Sequence, residues 1–242
     1  MPADRIPVHF FVCEVRMNNC FSALASVKAR LWSNILVRVA VGAIAVLLLL
    51  PLPSWAHHPL GGRVPATAFE GFLSGLAHPV IGLDHLTFVV AVGLLAAVSR
   101  RGIVMPVAFV LAAMAGTGLH LAEITLPAAE LVIAGSVLGA GVLLTLKDRP
   151  GQALLVSLVV LAGLFHGFAY GEAIFGAETM PLAAYLVGFT TVQMGIAIAA
   201  YAIVQQLTRQ SNGLFVQRSG LVICGIGAAF LATTLLDTLL PA

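Results

Sequence analysis

The sequence predicts an all-α membrane protein, a bundle of six transmembrane helices that follows a cleaved signal peptide. Three observations carry that reading. Of the 242 residues, 60% are hydrophobic and only 9% charged, against about 25% charged in ordinary soluble domains. The apolar residues fall into runs close to the roughly 20 residues needed to cross a bilayer core. The ionisable residues at membrane depth cluster in two short stretches, 78–85 and 165–172.

The first apolar run reads as a leader. Lys28, Arg30 and Arg38 form a basic region and residues 39–50 an apolar one. Ser54-Trp55-Ala56 then places small residues where a signal peptidase reads. Pro51 and Pro53 end the run just before that site, which favours cleavage over an uncleaved anchor. Cleavage after Ala56 divides the chain into a leader, 1–56, and a membrane domain, 57–242, with His57, His58 and Pro59 at the new amino terminus. Met17 is an alternative start. Cys13 and Cys20 fall in the leader, so the mature chain holds only Cys224 and no intrachain disulfide, and Cys224 reads as a packing residue.

The six spans are expected at about 81–98, 103–120, 127–146, 152–170, 180–205 and 220–239. A short segment at 67–77 precedes the first, with Pro79 and Gly82 as the expected break. Arg100, Arg101, Lys147, Arg149, Arg209 and Arg218 all fall on one side of this arrangement, and Arg63 alone on the other. The positive-inside rule makes the richer side cytoplasmic and turns the mature amino terminus outward, as a cleaved signal requires. The expected location is the inner, or cell, membrane of a bacterium. Every histidine of the mature chain then lies in the outer half, a placement that suits capture from outside. The spacings Gly135-x-x-x-Gly139 and Gly167-x-x-x-Gly171 permit close helix approach, although such spacings arise often by chance among 24 glycines.

An ionisable side chain buried in an apolar segment costs several kcal/mol unless it is partnered, so it marks a function by default. Imidazole and carboxylate together form a ligand set for first-row divalent cations. The candidate metal-handling residues are His78, Asp84 and His85 in the first stretch and His166 and Glu172 in the second. His57, His58 and His120 are further candidates, although a lone intramembrane histidine such as His120 is more often an interhelical hydrogen-bonding residue. In an unbroken helix His78 and His85 would share a face but stand about 10 Å apart along the axis. Either the chain breaks and folds His78 back, or the two serve successive positions on a path. His166 and Glu172, six residues apart, fall on different faces of a regular helix unless the flanking glycines make an irregular turn. Glu70, Glu123, Glu130, Glu178 and Asp237 read as solvated or interfacial carboxylates.

The pattern His78-x5-Asp84-His85, followed by Phe88 and an apolar helix, together with Phe165-His166-Gly167-Phe168-Ala169-Tyr170-Gly171-Glu172-Ala173, resembles the HupE/UreJ family of bacterial nickel and cobalt permeases. The resemblance covers essentially the whole mature chain. It implies uptake of Ni2+ or Co2+ as transported substrate with no resident cofactor, in support of nickel enzymes such as hydrogenase or urease and their maturation proteins. It also matches His78, Asp84, His85, His166 and Glu172 to the family's metal-handling positions. One departure stands out: the second motif commonly carries a histidine where this chain has Tyr170, which removes a nitrogen ligand.

The small net charge of +2 and the scattered basic residues exclude a nucleic-acid role. No G-x-x-x-x-G-K-[ST] run is present, which argues against ATP hydrolysis within the chain. The expectation is therefore a secondary transporter or diffusion facilitator and not an enzyme. The alternatives are an intramembrane metalloenzyme, which lacks an H-E-x-x-H motif, and a metal-binding accessory protein that does not transport.

Overall fold

The computed structural model describes residues 63–240 apart from 101, 212 and 213, and only the backbone of 208–211. The expected leader with its cleavage point, and His57 and His58, lie outside the described residues. Those that are described form seven helices and no strand: α1 (Ala68–Ile81), α2 (Leu83–Ala97), α3 (Val104–Leu121), α4 (Ala129–Thr145), α5 (Gln152–Glu172), α6 (Thr179–Ser211) and α7 (Leu214–Leu239).

Helices α3, α5, α6 and α7 are each long and apolar enough to cross a membrane. Helices α1 and α2 meet that standard only as a pair, bent by 79° at Gly82, so the candidate spans number four, or five with the pair taken as one. Helix α4 is apolar but has 17 residues, about 26 Å at 1.5 Å per residue, slightly short of a hydrocarbon core of about 30 Å. A multi-pass membrane protein is the result.

Local chemistry explains the boundaries. Thr67 caps α1 by accepting from Glu70 N at 3.2 Å, and the Glu70 carboxylate accepts from Ala66 N at 2.8 Å, a close variant of the capping box. The expected short segment at 67–77 is in fact a full helix that runs through Pro79. The proline removes one donor without ending the helix. The break falls at Gly82, whose backbone is extended (φ −70°, ψ 100°) while its N–H still bonds His78 O. At the other end of the chain, α6 continues to Ser211 and α7 starts at Leu214, so Arg209 and Arg218 sit on helix ends where the sequence suggested a longer loop. The carboxyl end of α4 is tied off by Arg149, whose guanidinium donates to Leu143 O at 3.2 Å and Leu144 O at 3.0 Å.

Helix α2 is the hub. It contacts α1, α3, α4, α6 and α7, and most of its residues, from Asp84 and His85 through Ala96, are buried. The main apolar core gathers around it, with Phe88, Val92 and Leu95 against Met105, Phe109, Val137 and Leu144. A second, smaller core joins Ala113, Tyr170, Ile174, Tyr185 and Phe189. The histidines lie between the two. Helix α1 lies on the first half of α6, where Gly75 leaves no room for a Cβ beside the backbone of Tyr185. Cys224 packs against Gly141 between α7 and α4, in keeping with a packing role.

Candidate functional site

The bend at Gly82 brings together what an unbroken helix would separate. His78, in the last turn of α1, and His85, in the first turn of α2, have ring centroids 5.7 Å apart. Of the two alternatives the sequence left open, the chain takes the fold-back. Helix α5 supplies the third imidazole: His166 Nδ1 lies 2.7 Å from His85 Nδ1. The rings of Phe88 and His166 stack with centroids 4.5 Å apart. Asp84 accepts from His85 N at 2.8 Å through Oδ1, which fixes its carboxylate at the start of α2. All four groups are buried: His78 is 1%, Asp84 5%, His85 1% and His166 0% exposed.

Aromatic hydroxyls complete the enclosure. Tyr185 Oη lies 3.3 Å from His78 Nδ1 and donates to Tyr170 O at 2.8 Å. The Tyr170 ring packs against His85 and His78, with centroids at 4.6 and 5.1 Å, and its hydroxyl has no hydrogen-bond partner among the described residues. Ser136 of α4 approaches from the far side, its Oγ 2.9 Å from His166 Nε2. One turn along α6 from Phe189, Gln193 is fully buried and donates to Phe189 O at 3.2 Å, while its Oε1 has no partner.

The remaining candidates stand apart. Glu172 ends α5 on the exposed surface. Helix α5 is regular throughout, so the irregular turn that glycines 167 and 171 would permit does not form. His120 packs between α3 and α5, its ring 4.6 Å from that of Phe168. Its Nδ1 is buried without a partner, so it is an interhelical residue by packing and not by hydrogen bonding. Glu123, Glu130, Glu178 and Asp237 are exposed.

Chemically, the cluster can supply three imidazoles and a carboxylate to one small volume. Yet among the described residues no three His, Cys, Asp or Glu side chains are arranged to hold a metal ion as they stand. At the centre the closest nitrogens of His85 and His166 are hydrogen-bonded to each other. An ion would have to open that hydrogen bond.

Ser136, Tyr185 and Gln193 are the residues that sequence reasoning missed. Each is a polar side chain inside an apolar helix, the signal that marks interhelical bonding in membranes. Nothing in their spacing ties them to the histidines: Ser136 reaches His166 from α4 and Tyr185 reaches His78 from α6, while Gln193 lies buried about two turns beyond Tyr185 on α6.

A lateral apolar cavity of about 330 Å³ opens between α4 and α5, lined by Gly135, Gly139, Leu158, Leu161 and Ala162, with Ser136 and Phe88 at its wall. Its lining is almost wholly carbon, so it is no route for an ion.

No solved structure matches the chain. The protein HupE of Rhizobium leguminosarum bv. viciae is 29% identical over 185 residues, which cover 75% of this chain and 93% of that protein. The sequence model of the HupE / UreJ protein family matches residues 44–230, a stretch that holds both histidine motifs, all the helices that position them and most of α7. On that match the chain belongs to the HupE/UreJ family.

Proposed function

We propose that this protein imports a divalent transition-metal cation, Ni2+ or Co2+, across the bacterial inner membrane as a secondary transporter or facilitator. The observation that carries the reading is the burial of His78, Asp84, His85 and His166 together at the broken helix of a membrane bundle. Four costly groups in one buried volume have a common purpose, and their atoms suit a borderline metal ion. Family membership supports the same reading, since uptake of nickel or cobalt in support of hydrogenase or urease is what the resemblance implies.

In this scheme the chain crosses six times, with the bent α1–α2 pair as one crossing and the shorter α4 as another. The mature amino terminus faces outward, and the Lys and Arg side, with Arg149 and Arg218, faces the cytoplasm. An ion is captured at the outer mouth, where exposed Glu172 raises its local concentration. It then sheds water against His78 and Asp84 and passes between His85 and His166 once their mutual hydrogen bond opens. Further in, the Gln193 amide oxygen offers a neutral ligand. The delivered metal serves the maturation of nickel enzymes.

The test is uptake of radioactive nickel, and separately cobalt, into proteoliposomes that hold the purified protein, with His85→Ala as control. Saturable uptake that the variant loses is the expected result. Normal uptake by folded His85→Ala would remove the central claim, and binding without uptake would favour an accessory role.

A further inference from the structure

We propose that Ser136 is a positioning residue for His166: its hydroxyl fixes which ring nitrogen carries the proton and so turns the Nδ1 lone pair toward His85. The functional consequence rests on the transport reading above, whereas the proton assignment does not.

A serine hydroxyl has one proton to give and two lone pairs to receive. Ser136 Oγ gives its proton to Ile133 O, the carbonyl three residues back on α4, at 2.7 Å. Toward His166 Nε2, at 2.9 Å, the same oxygen is left as an acceptor, so Nε2 bears the ring proton. A neutral imidazole protonated at Nε2 carries its lone pair on Nδ1, the atom 2.7 Å from His85 Nδ1. His85 therefore donates in that bond. A chain of one polarity runs from His85 through His166 and Ser136 to the Ile133 carbonyl, across α2, α5 and α4.

The same device acts on the other side of the cluster. Tyr185 gives its proton to Tyr170 O at 2.8 Å and so receives from His78 Nδ1 at 3.3 Å, which places the His78 lone pair on Nε2. Each of these hydroxyls spends its proton on a backbone carbonyl and presents only an acceptor to a histidine.

A metal ion binds the lone pair of an imidazole and is blocked by its N–H. With Ser136 in place, His166 offers the Nδ1 lone pair to an ion as soon as the His85–His166 hydrogen bond opens, His85 keeping its own proton. Without it, the proton of His166 is no longer held at Nε2 and can occupy Nδ1. The ring itself stays put, stacked on Phe88 and fully buried, so the contribution of Ser136 is confined to the proton. Ser136 also lines the lateral cavity, beside glycines with open space above them. Its replacement by alanine therefore removes a hydroxyl without collapsing a packed core.

The experiment uses the full chain, metal-free, in liposomes with 15N-labelled histidine rings, and reads which ring nitrogen of His166 is protonated. Wild type, Ser136→Ala and Ser136→Thr are compared, and His166→Gln identifies the signals. The expected result is a proton on Nε2 in wild type and Ser136→Thr, and a shift toward Nδ1 in Ser136→Ala. A wild-type His166 protonated at Nδ1, or a tautomer that Ser136→Ala leaves unchanged, overturns the proposal. Uptake of radioactive nickel by the same proteins should show a half-saturating concentration about tenfold higher in Ser136→Ala, the scale typical of partners behind a metal ligand, and restored by Ser136→Thr. Unchanged uptake beside an altered tautomer defeats the positioning role. A wild type with the expected tautomer but no uptake defeats the transport reading and leaves the assignment of the proton standing.

Discussion

Helices α4 and α5 each carry glycines at a spacing of four, 135 and 139 on α4 and 163, 167 and 171 on α5, and their neighbours treat those glycines differently. On α5, a Cβ at Gly167 would run into the backbone of Ala113, and one at Gly171 into the side chain of His120. Helix α3 is thereby drawn against α5. Thr117 Oγ1 seals the contact at 2.8 Å from Gly167 O and 3.0 Å from Ala113 O. On α4, a Cβ at Gly135 or Gly139 would meet nothing within 4 Å, because the lateral cavity lies there. The glycine of α4 that makes close contact is Gly141, against Cys224 of α7. Spacing places two small residues on one side of a helix, and only the partner decides whether that side is a seam. The packed seam of α5 holds His166 against the rest of the cluster, whereas the loose side of α4 leaves room around Ser136.

The contrast can be broken most severely at its packed end. Gly167→Val adds three carbons where the Ala113 backbone already stands, and overpacking of this kind costs about 1–3 kcal/mol or more. The variant is expected to lose its single peak in size-exclusion chromatography and to be degraded in cells; a monodisperse, stable Gly167→Val protein would show that the seam is not needed. Next in size is His166→Ala, which keeps the seam and removes the imidazole proposed to meet the ion. Nickel uptake is expected to fall by more than the roughly 10–100-fold typical of an outer partner, with the thermal transition largely retained. Glu172→Gln, six residues further along the same helix, acts on an exposed carboxylate. Here the expected change is about twofold in half-saturating metal concentration, as for other surface changes, and it should disappear in high salt because exposed charges are screened. Smallest is Gly139→Ala on α4, where the open space should let the methyl in and helix propensity should add about 1 kcal/mol. A higher melting temperature with unchanged uptake is the outcome that sharpens the comparison.

The elements that the sequence revealed well are those governed by hydropathy alone. Spans expected at 103–120 and 152–170 match α3 and α5 to within a few residues, because a run of apolar residues of bilayer length needs no partner to be recognised. The first span was harder. Pro79 and Gly82 both signal a break, but which residue takes the extended backbone, and by what angle, depends on α6 packing alongside. The histidines of the site were legible as costly groups in apolar surroundings. Their supporting hydroxyls were not, since Ser136 and Tyr185 are ordinary residues until tertiary structure carries them to His166 and His78. Glu172, which the resemblance groups with His166, lies exposed on another face of α5, as the helical period of a regular helix requires.

The bend at Gly82 has an electrostatic result that an unbroken crossing could not give. Each α-helix ends in aligned peptide dipoles equivalent to roughly half a positive charge at its amino end and half a negative charge at its carboxyl end. Breaking the crossing within the bundle places one end of each kind beside the histidines. His78 sits at the carboxyl end of α1, whose terminal carbonyls attract a cation. Asp84 sits buried in the first turn of α2, at the positive end of that helix's dipole, which favours a carboxylate there. The backbone itself thus supplies partial charges of both signs to the site, and Gly82, which carries no functional group, is the residue that puts them there.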